Sequence, residues 1–306
     1  MSDGFSLIRD IPSFSEWSQI TELHGGNSKE FKFRLQNADG QFCTLRVTSI
    51  DRFQLEQQEY ANLTRLEPFH LPMPKPLQFG LCNGGSHLYM LLSWIEGNTV
   101  SDLLTMADES EQYSLGLKAG VLLARLHQLS PVASSLDWNR HYTEIEDSVL
   151  SRYWISGIVL RNEAGGLDYL RNHKNLLDGR PLVIKHGDYH AANLILTPES
   201  TMAMIDFDRC VISDPYEEFA ILVWTAAKHP AFARGQIAGY FTGPAPADFF
   251  PLLAYYITVY AFEHVIWALG YGKNSPAAIK KTAEDLLDLF DGYRRTLPHW
   301  YSDPEL

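Results

Sequence analysis

Polar and apolar positions alternate early in the chain and fall at helical spacing later. Phe31, Phe33 and Leu35 alternate with Lys32 and Arg34, the pattern of a half-buried strand. The run Phe42-Cys43-Thr44-Leu45-Arg46-Val47 predicts a second strand. Residues 51–66 then predict a helix with Phe53, Leu55, Leu63 and Leu66 as apolar positions and Glu59 among the polar ones. The prolines of PFHLPMPKP, residues 68–76, break that helix and set up another strand. Residues 87–95, HLYMLLSWI, form an apolar run closed by Glu96-Gly97, which predicts a last strand before a hinge. Beyond it Leu115, Ala119, Leu122, Leu126 and Leu129 make a core-facing helical stripe. Short apolar runs at 182–184, 194–196 and 202–205, each bounded by polar or turn residues, read as strands. Asp214-Pro215 predicts a helix start with Asp214 as N-cap, and further helices are expected over 232–241, 247–269 and 276–294. Strands first and helices later give an α+β chain of two lobes, 1–95 and 96–306.

Composition narrows the class of protein. A chain of 306 residues exceeds a typical single domain, and 45% hydrophobic residues suffice for packed cores. The most apolar region, 249–269, is interrupted by Glu263 and His264, so it is expected to be a buried helix and no membrane span. The amino-terminal MSDGFSLIRD has no basic segment followed by an apolar one, so no secretory leader is expected. Three widely spaced cysteines, Cys43, Cys82 and Cys210, suit neither a disulfide framework nor a zinc site, and point to a reducing cytoplasm. A formal net charge of −12 argues against nucleic acid as a partner. It suits a cationic acceptor by steering, and equally well simple solubility.

The chemistry concentrates in LVIKHGDYHAANLILTPESTMAMIDFD, residues 182–208. It offers Asp188, Asn193 five residues later, and Asp206 after the next apolar runs. A loop–strand–turn–strand ribbon would bring Asn193 and Asp206 to one end. Protein kinases use an Asp and an Asn at this separation, then a further Asp, to accept a hydroxyl proton and to hold metal. Phosphoryl transfer asks for alignment and charge neutralisation, and Asn and Asp oxygens suit Mg²⁺, a hard cation. The plain alternative is that HGD and DFD are polar turns at strand ends. In the first lobe, Leu23-His24-Gly25-Gly26-Asn27-Ser28 leads into a strand, where glycines allow close backbone approach to phosphates or simply make a hairpin turn. Neither G-x-G-x-x-G nor G-x-x-x-x-G-K-[ST] occurs. Arg46 with Glu59, or with Glu56 in its place, would supply the strand cation and helix carboxylate that a kinase plan requires.

HGDYHAAN, IDFD and DPYEEFA, with LARLHQL and LPMPKPL, resemble the aminoglycoside phosphotransferase and choline kinase superfamily. The resemblance runs from about Leu23 to Ala220. It implies a bilobal protein-kinase-like fold, with a small antiparallel-sheet N-lobe and a mostly helical C-lobe. It implies Asp188 as catalytic base, Asn193 and Asp206 as Mg²⁺ ligands, and ATP or GTP as donor. Gly25, Gly26, Asn27 and Ser28 would cover the phosphates, with Arg46 and Glu59 beside them, while Ser93 and Ile95 would hold the base. The acceptor would be a small hydroxylated molecule, cationic if an aminoglycoside, with Glu217, Glu263, Trp267 and Asp285 as candidate contacts. His186 would pack to hold the loop, Asp214 would be structural, and Asp208 would either meet a second metal or cap a turn. His190 has no derived role, and the oligomeric state is not encoded in any motif. Three departures stand out: Arg46 for the usual Lys, Ser213 for Gly, and Glu218 for Asp. Arg46 keeps open a nucleotide-binding protein that transfers no phosphate, since a planar fork replaces a point charge. A metal-dependent hydrolase built on His186, Asp188, His190, Asp206 and Asp208 is the remaining alternative.

Overall fold

The computed structural model describes residues 4–23, 30–129, 132, 135–271 and 275–301. In chain order the strands are β1 (Trp17–Leu23), β2 (Phe31–Asn37), β3 (Phe42–Ser49), β4 (Pro76–Cys82), β5 (His87–Ser93), β6 (Asn98–Thr99), β7 (Val183–Lys185), β8 (Leu194–Leu196), β9 (Met202–Met204) and β10 (Val211–Ser213). The helices are α1 (Phe53–Leu66), α2 (Val100–Leu104), α3 (Glu109–Leu129), α4 (Trp138–Ile155), α5 (Glu163–Asn172), α6 (Val223–Ala226), α7 (Pro230–Phe241), α8 (Phe249–Tyr271) and α9 (Pro276–Leu287). Two compact units result, Met1–Val100 with Ala192–Cys210, and Ser101–Ala191 with Val211–Leu306. This division differs from the expected 1–95 and 96–306 in two respects: the first boundary falls after Val100, and the ribbon carrying Asn193 and Asp206 goes with the first unit, because β8 pairs with β6.

In the first unit an antiparallel sheet runs β1-β2-β3-β5-β4. Alternation along the strands puts Phe33, Leu35, Leu45, Val47, Tyr89 and Leu91 in one buried cluster. The opposite positions, Lys32, Arg46 and Met90, pair across β2, β3 and β5 and share the other face. The helix expected from 51 starts as α1 at Phe53, after a 3-10 turn at Ile50–Arg52 in which the Ser49 hydroxyl accepts the Asp51 amide. A second, three-stranded sheet of order β6-β8-β9 completes the unit. β1 carried no signal in the sequence, since its exposed and half-buried positions do not alternate.

The second unit is mainly helical. Helices α3 and α7 approach through glycines on both sides: a Cβ on Gly120 would lie 2.0 Å from the Gln236 carbonyl oxygen, and one on Gly239 2.2 Å from that of Leu117. Only glycine permits backbones this close. Helix α8 is long and apolar enough to span a membrane, yet 72% of its most apolar window is buried, as a core helix requires. The helix expected over 276–294 ends at Leu287, followed by a 3-10 turn and left-handed residues at Asp291, Gly292 and Tyr293. The helix expected to begin at Asp214-Pro215 is instead a 3-10 turn, Glu217–Leu222, running into α6. Asp214 does not cap it. Its carboxylate is bound by Arg180 and by the Tyr256 hydroxyl, and it accepts the Tyr216 amide at 2.7 Å.

Candidate active site

Strand β7 delivers the chain into His186-Gly187-Asp188. Gly187 has φ +87°, a turn that side-chain-bearing residues resist, and this reverses the chain directly before Asp188. His186 is fully buried, sits edge-on to Tyr189 at 5.6 Å, and accepts the Asp188 amide on Nδ1 at 3.3 Å, so it does hold the loop. Tyr189 in turn donates its hydroxyl to the Ala119 carbonyl of α3 at 2.7 Å. The His186 and Gly187 amides both donate to one carboxylate, that of Glu218, at 2.6 and 2.9 Å. Glu in place of the usual Asp is therefore no idle change, because this side chain fixes the loop. His190 also acquires a place: its amide donates to the Asp188 carbonyl at 2.9 Å, and Nε2 lies 3.5 Å from Asp188 Oδ1.

Burial pushes the Glu218 carboxyl up, but His127, His186 and Lys185 together outweigh it and hold it below the ordinary range. Lys185 is itself paired with Glu217 at 2.8 Å, and Glu217 also takes the Ser213 hydroxyl. The sequence held a weak signal for this assembly in LARLHQL, whose histidine is His127.

In the first unit, β8 and β9 pair antiparallel with Leu194 opposite Met204, and the Ile205 amide donates to the Asn193 carbonyl at 2.9 Å. Asn193 and Asp206 are thus neighbours at one end of the ribbon, as the pattern of short apolar runs predicts. Asp206 has φ +67°, in the left-handed region that Asp tolerates better than most residues. A carboxamide and a carboxylate from one ribbon end are the oxygen donors a small hard cation accepts, with water and phosphate filling its remaining positions. Among the described residues no group of three or more His, Cys, Asp or Glu is placed to hold a metal ion.

Arg46 is buried in β3 and bound by three glutamates. Nη1 donates to Glu59 at 2.5 Å, Nη2 to Glu56 at 3.5 Å, and Nε and Nη2 to Glu30 at 3.2 and 3.3 Å. Glu59 and Glu56, weighed as alternatives in the sequence, are both partners. Arg52 adds a second guanidinium, 3.0 Å from Glu56 and 3.8 Å from Glu30. Glu30 and Arg52 went unnoticed. Strand register was the available signal for Glu30, which stands two residues before Lys32, the cross-strand partner of Arg46. With three carboxylates sharing so little cation, burial wins at Glu59: its carboxyl is pushed up to about 7, with Arg46 opposing the rise and Glu56 and Asp206 adding to it.

At the end of β5, the Ser93 amide donates to the Lys75 carbonyl at 3.0 Å and its hydroxyl accepts the Lys75 amide at 2.8 Å. Ile95 follows, flanked by Trp94 and Glu96, whose side chains bond to each other at 2.8 Å. The Arg34 guanidinium lies 3.8 Å from the Phe42 ring centre and 4.9 Å from that of Trp94. Gly25, Gly26, Asn27 and Ser28 lie outside the described residues.

The acceptor candidates separate. Glu263 lines a cavity of about 340 Å³ with His141, Glu144, Ser148 and Arg152 of α4. Glu217 is engaged with Lys185, Trp267 is half-exposed beside His264, and Asp285 is an exposed partner of Lys281 one helical turn away. Asp285 belongs to a solvated helix face.

Several solved structures share this fold. Aminoglycoside phosphotransferase APH(4)-Ia, as a thermostable mutant in ternary complex with ADP and hygromycin B, matches at TM-score 0.68 and 19% identity over 90% of this chain and 95% of that chain. The complex of such a mutant with AMP-PNP and hygromycin B matches at TM-score 0.67 and 20% identity over the same shares. ADP-bound APH(2'')-Ib matches at TM-score 0.59 and 15% identity, over 94% of this chain and 96% of that one. No curated protein sequence matches. The family model described as the phosphotransferase enzyme family matches residues 19–250, which takes in the sheet of the first unit, the loop around Asp188 and the ribbon. The chain belongs to the phosphotransferase enzyme family.

Proposed function

We propose that the protein is a Mg²⁺-dependent small-molecule kinase that moves the γ-phosphate of ATP or GTP to a hydroxyl of an aminoglycoside-like acceptor. The observation that carries this reading is the closure of the ribbon by Ile205 on Asn193, which brings the Asn193 and Asp206 backbones to one ribbon end and supports their reading as the metal-holding Asn and Asp of a kinase. Bound Mg²⁺ would neutralise phosphate charge, with Asn193 and Asp206 as its protein ligands. Asp188, on a loop whose His186 and Gly187 amides are held by Glu218, orients the acceptor hydroxyl and takes its proton as the oxygen attacks phosphorus and the nucleoside diphosphate leaves. The Ile95 amide and Ser93 carbonyl meet the base. By the family resemblance Gly25 to Ser28 would cover the phosphates, with Arg46 and Glu59 beside them. The nucleotides and hygromycin B in the neighbouring complexes support a nucleotide donor and an acceptor of aminoglycoside type. So does the acidic balance of the chain. Three buried, unbridged cysteines fit a cytoplasmic setting.

One observation favours a second reading, a nucleotide-binding protein without transfer: the Arg46 fork is largely committed to Glu30, Glu56 and Glu59 and offers little to phosphate. Nucleoside diphosphate release in Mg²⁺, with ATP and with GTP, across aminoglycosides and other small alcohols, separates the two. Acceptor-dependent release that drops about 100-fold or more in Asp188→Asn, with nucleotide affinity kept, is the expected result. Nucleotide binding by calorimetry that stays Mg²⁺-dependent in Asp206→Ala would overturn the metal assignment.

A further inference from the structure

Glu30 is the last residue before β2, two positions after Ser28. Its side chain is 4% exposed and meets Arg46 as a bidentate pair: Nε donates to Oε2 at 3.2 Å and Nη2 to Oε1 at 3.3 Å. With Nη1 on Glu59 and Nη2 also on Glu56, four of the five N–H groups of this guanidinium are engaged inside the protein. Glu30 covers the Nε–Nη2 edge, by which an arginine takes two oxygens of a carboxylate or of a phosphate. The three glutamates are not equally fixed. Glu56 and Glu59 stand on α1, which is anchored by buried Leu63 and Leu66, and Glu56 also accepts Arg52 Nε at 3.0 Å. Glu30 lies one residue outside the ladder that begins with Phe31 opposite Val47, so its side chain can turn without breaking a strand bond. Two further cations already stand 3.8 Å from it, Lys32 at Oε2 and Arg52 at Oε1. Both are partly exposed, so water helps them to receive the carboxylate.

We propose that Glu30 is a built-in competitor for the donor's phosphate: its carboxylate holds the Nε–Nη2 edge of Arg46, and a phosphate takes that edge only as Glu30 passes to Lys32 and Arg52. The proposal rests on the first unit being a nucleotide site. It adds to that reading a third carboxylate, carried by the sheet and not by the helix, whose place decides how tightly the donor binds. The exchange swaps one bidentate oxyanion for another on the same two nitrogens. A Glu30 that stayed would face the phosphate charge at contact distance. The guanidinium makes the exchange possible, because Nη1 stays on Glu59 while the far edge changes partner, and an ammonium, a single point charge, has no second edge to hand over. The apparent dissociation constant is then the intrinsic one divided by the population in which the edge is free.

Titration calorimetry of the full chain tests this, with Mg²⁺·ATP as one probe and inorganic tripolyphosphate as the other. Glu30→Gln keeps the shape and removes the charge, and the dissociation constant for Mg²⁺·ATP should fall about tenfold or more. An affinity equal to the parent's, or weaker, overturns the proposal. Removing any acid strengthens anion binding through net charge, so the double-mutant cycle with Arg46→Lys decides between exchange and simple repulsion. In the Lys background the gain from Glu30→Gln should shrink to about twofold or less. The same gain in both backgrounds would mean repulsion alone and would overturn the exchange. If Glu30→Gln does not fold by circular dichroism, Glu30→Ala takes its place with the same expected and overturning results. The second probe keeps the two readings apart. Tripolyphosphate bound more tightly by Glu30→Gln, with Mg²⁺·ATP bound by neither protein, would leave the exchange on Arg46 standing and remove the nucleotide site. Mg²⁺·ATP bound equally by both, with acceptor-dependent release intact, would keep the kinase and sink the exchange. Neither probe bound by either protein would sink both.

Discussion

Glu59 and Glu218 are the same side chain at nearly the same burial, 3% and 2% exposed, in different units of the molecule, and they are driven in opposite directions. Glu59 shares Arg46 with Glu56 and Glu30, and its carboxyl rises to about 7. Glu218 stands alone among His127, His186 and Lys185, and its carboxyl falls below the ordinary range although burial opposes this. Low exposure thus says little about the charge state of a buried acid. The count and sign of its neighbours decide it. The first cluster is short of cation and the second is rich in it.

Breaking the first cluster should have the largest effect. Arg46→Met strands three buried carboxylates and should cost about 3–5 kcal/mol, read as a lowered urea midpoint at neutral pH. A midpoint equal to the parent's would show that Arg52 alone can neutralise the group. Glu59→Gln sharpens the contrast through pH. Because the native carboxyl lies above its unfolded value of 4.5, the stability it gives is full below 4.5 and is lost as pH rises through about 7. The parent should therefore lose on the order of 3 kcal/mol between pH 5 and pH 8.5 that the Gln variant does not lose, measured by urea unfolding at both ends. Curves of identical slope would contradict the raised carboxyl. For Glu218 the sign reverses: its contribution is present above the ordinary carboxyl range and disappears as pH falls through the lowered value. Arg52→Gln should matter least. Its side chain is 41% exposed, and a loss within about 1 kcal/mol is expected from the same measurement.

What the sequence made legible follows the range of each interaction. Asp188, Asn193 and Asp206 lie in one continuous stretch, and short apolar runs predict the ribbon that joins the last two. The strands around Phe33 and Leu45, and the stripe of α3, follow from periodicity because one face is uniformly apolar. Helix α4 escaped that reading although Trp138, Tyr142, Val149 and Tyr153 fall at helical spacing. Its stripe is broken by Glu146, which is buried through Tyr255 at 2.5 Å and Lys174 at 3.4 Å, partners far away in sequence. Glu30 was invisible for a related reason, since a carboxylate next to a turn looks solvated until strand register brings it to Arg46, and Arg52 joins the cluster through Glu56 four residues on and through Glu30. The Asp214 helix differs from expectation because the Asp214 carboxylate, shared by Arg180, the Tyr256 hydroxyl and the Tyr216 amide, sits in a turn ahead of the 3-10 segment that starts at Glu217.

The ribbon has a consequence for how the chain is made. The first unit is discontinuous, since Met1–Val100 must wait for Ala192–Cys210 before β6 finds β8. During synthesis the amino-terminal sheet is finished before the strands that carry Asn193 and Asp206 exist. The long helical insertion between them has to leave the ribosome in the interval. A fragment cut at residue 100 would be a sheet without the residues proposed to hold metal. The smallest piece of this chain that could bind Mg²⁺-nucleotide therefore reaches at least to Cys210.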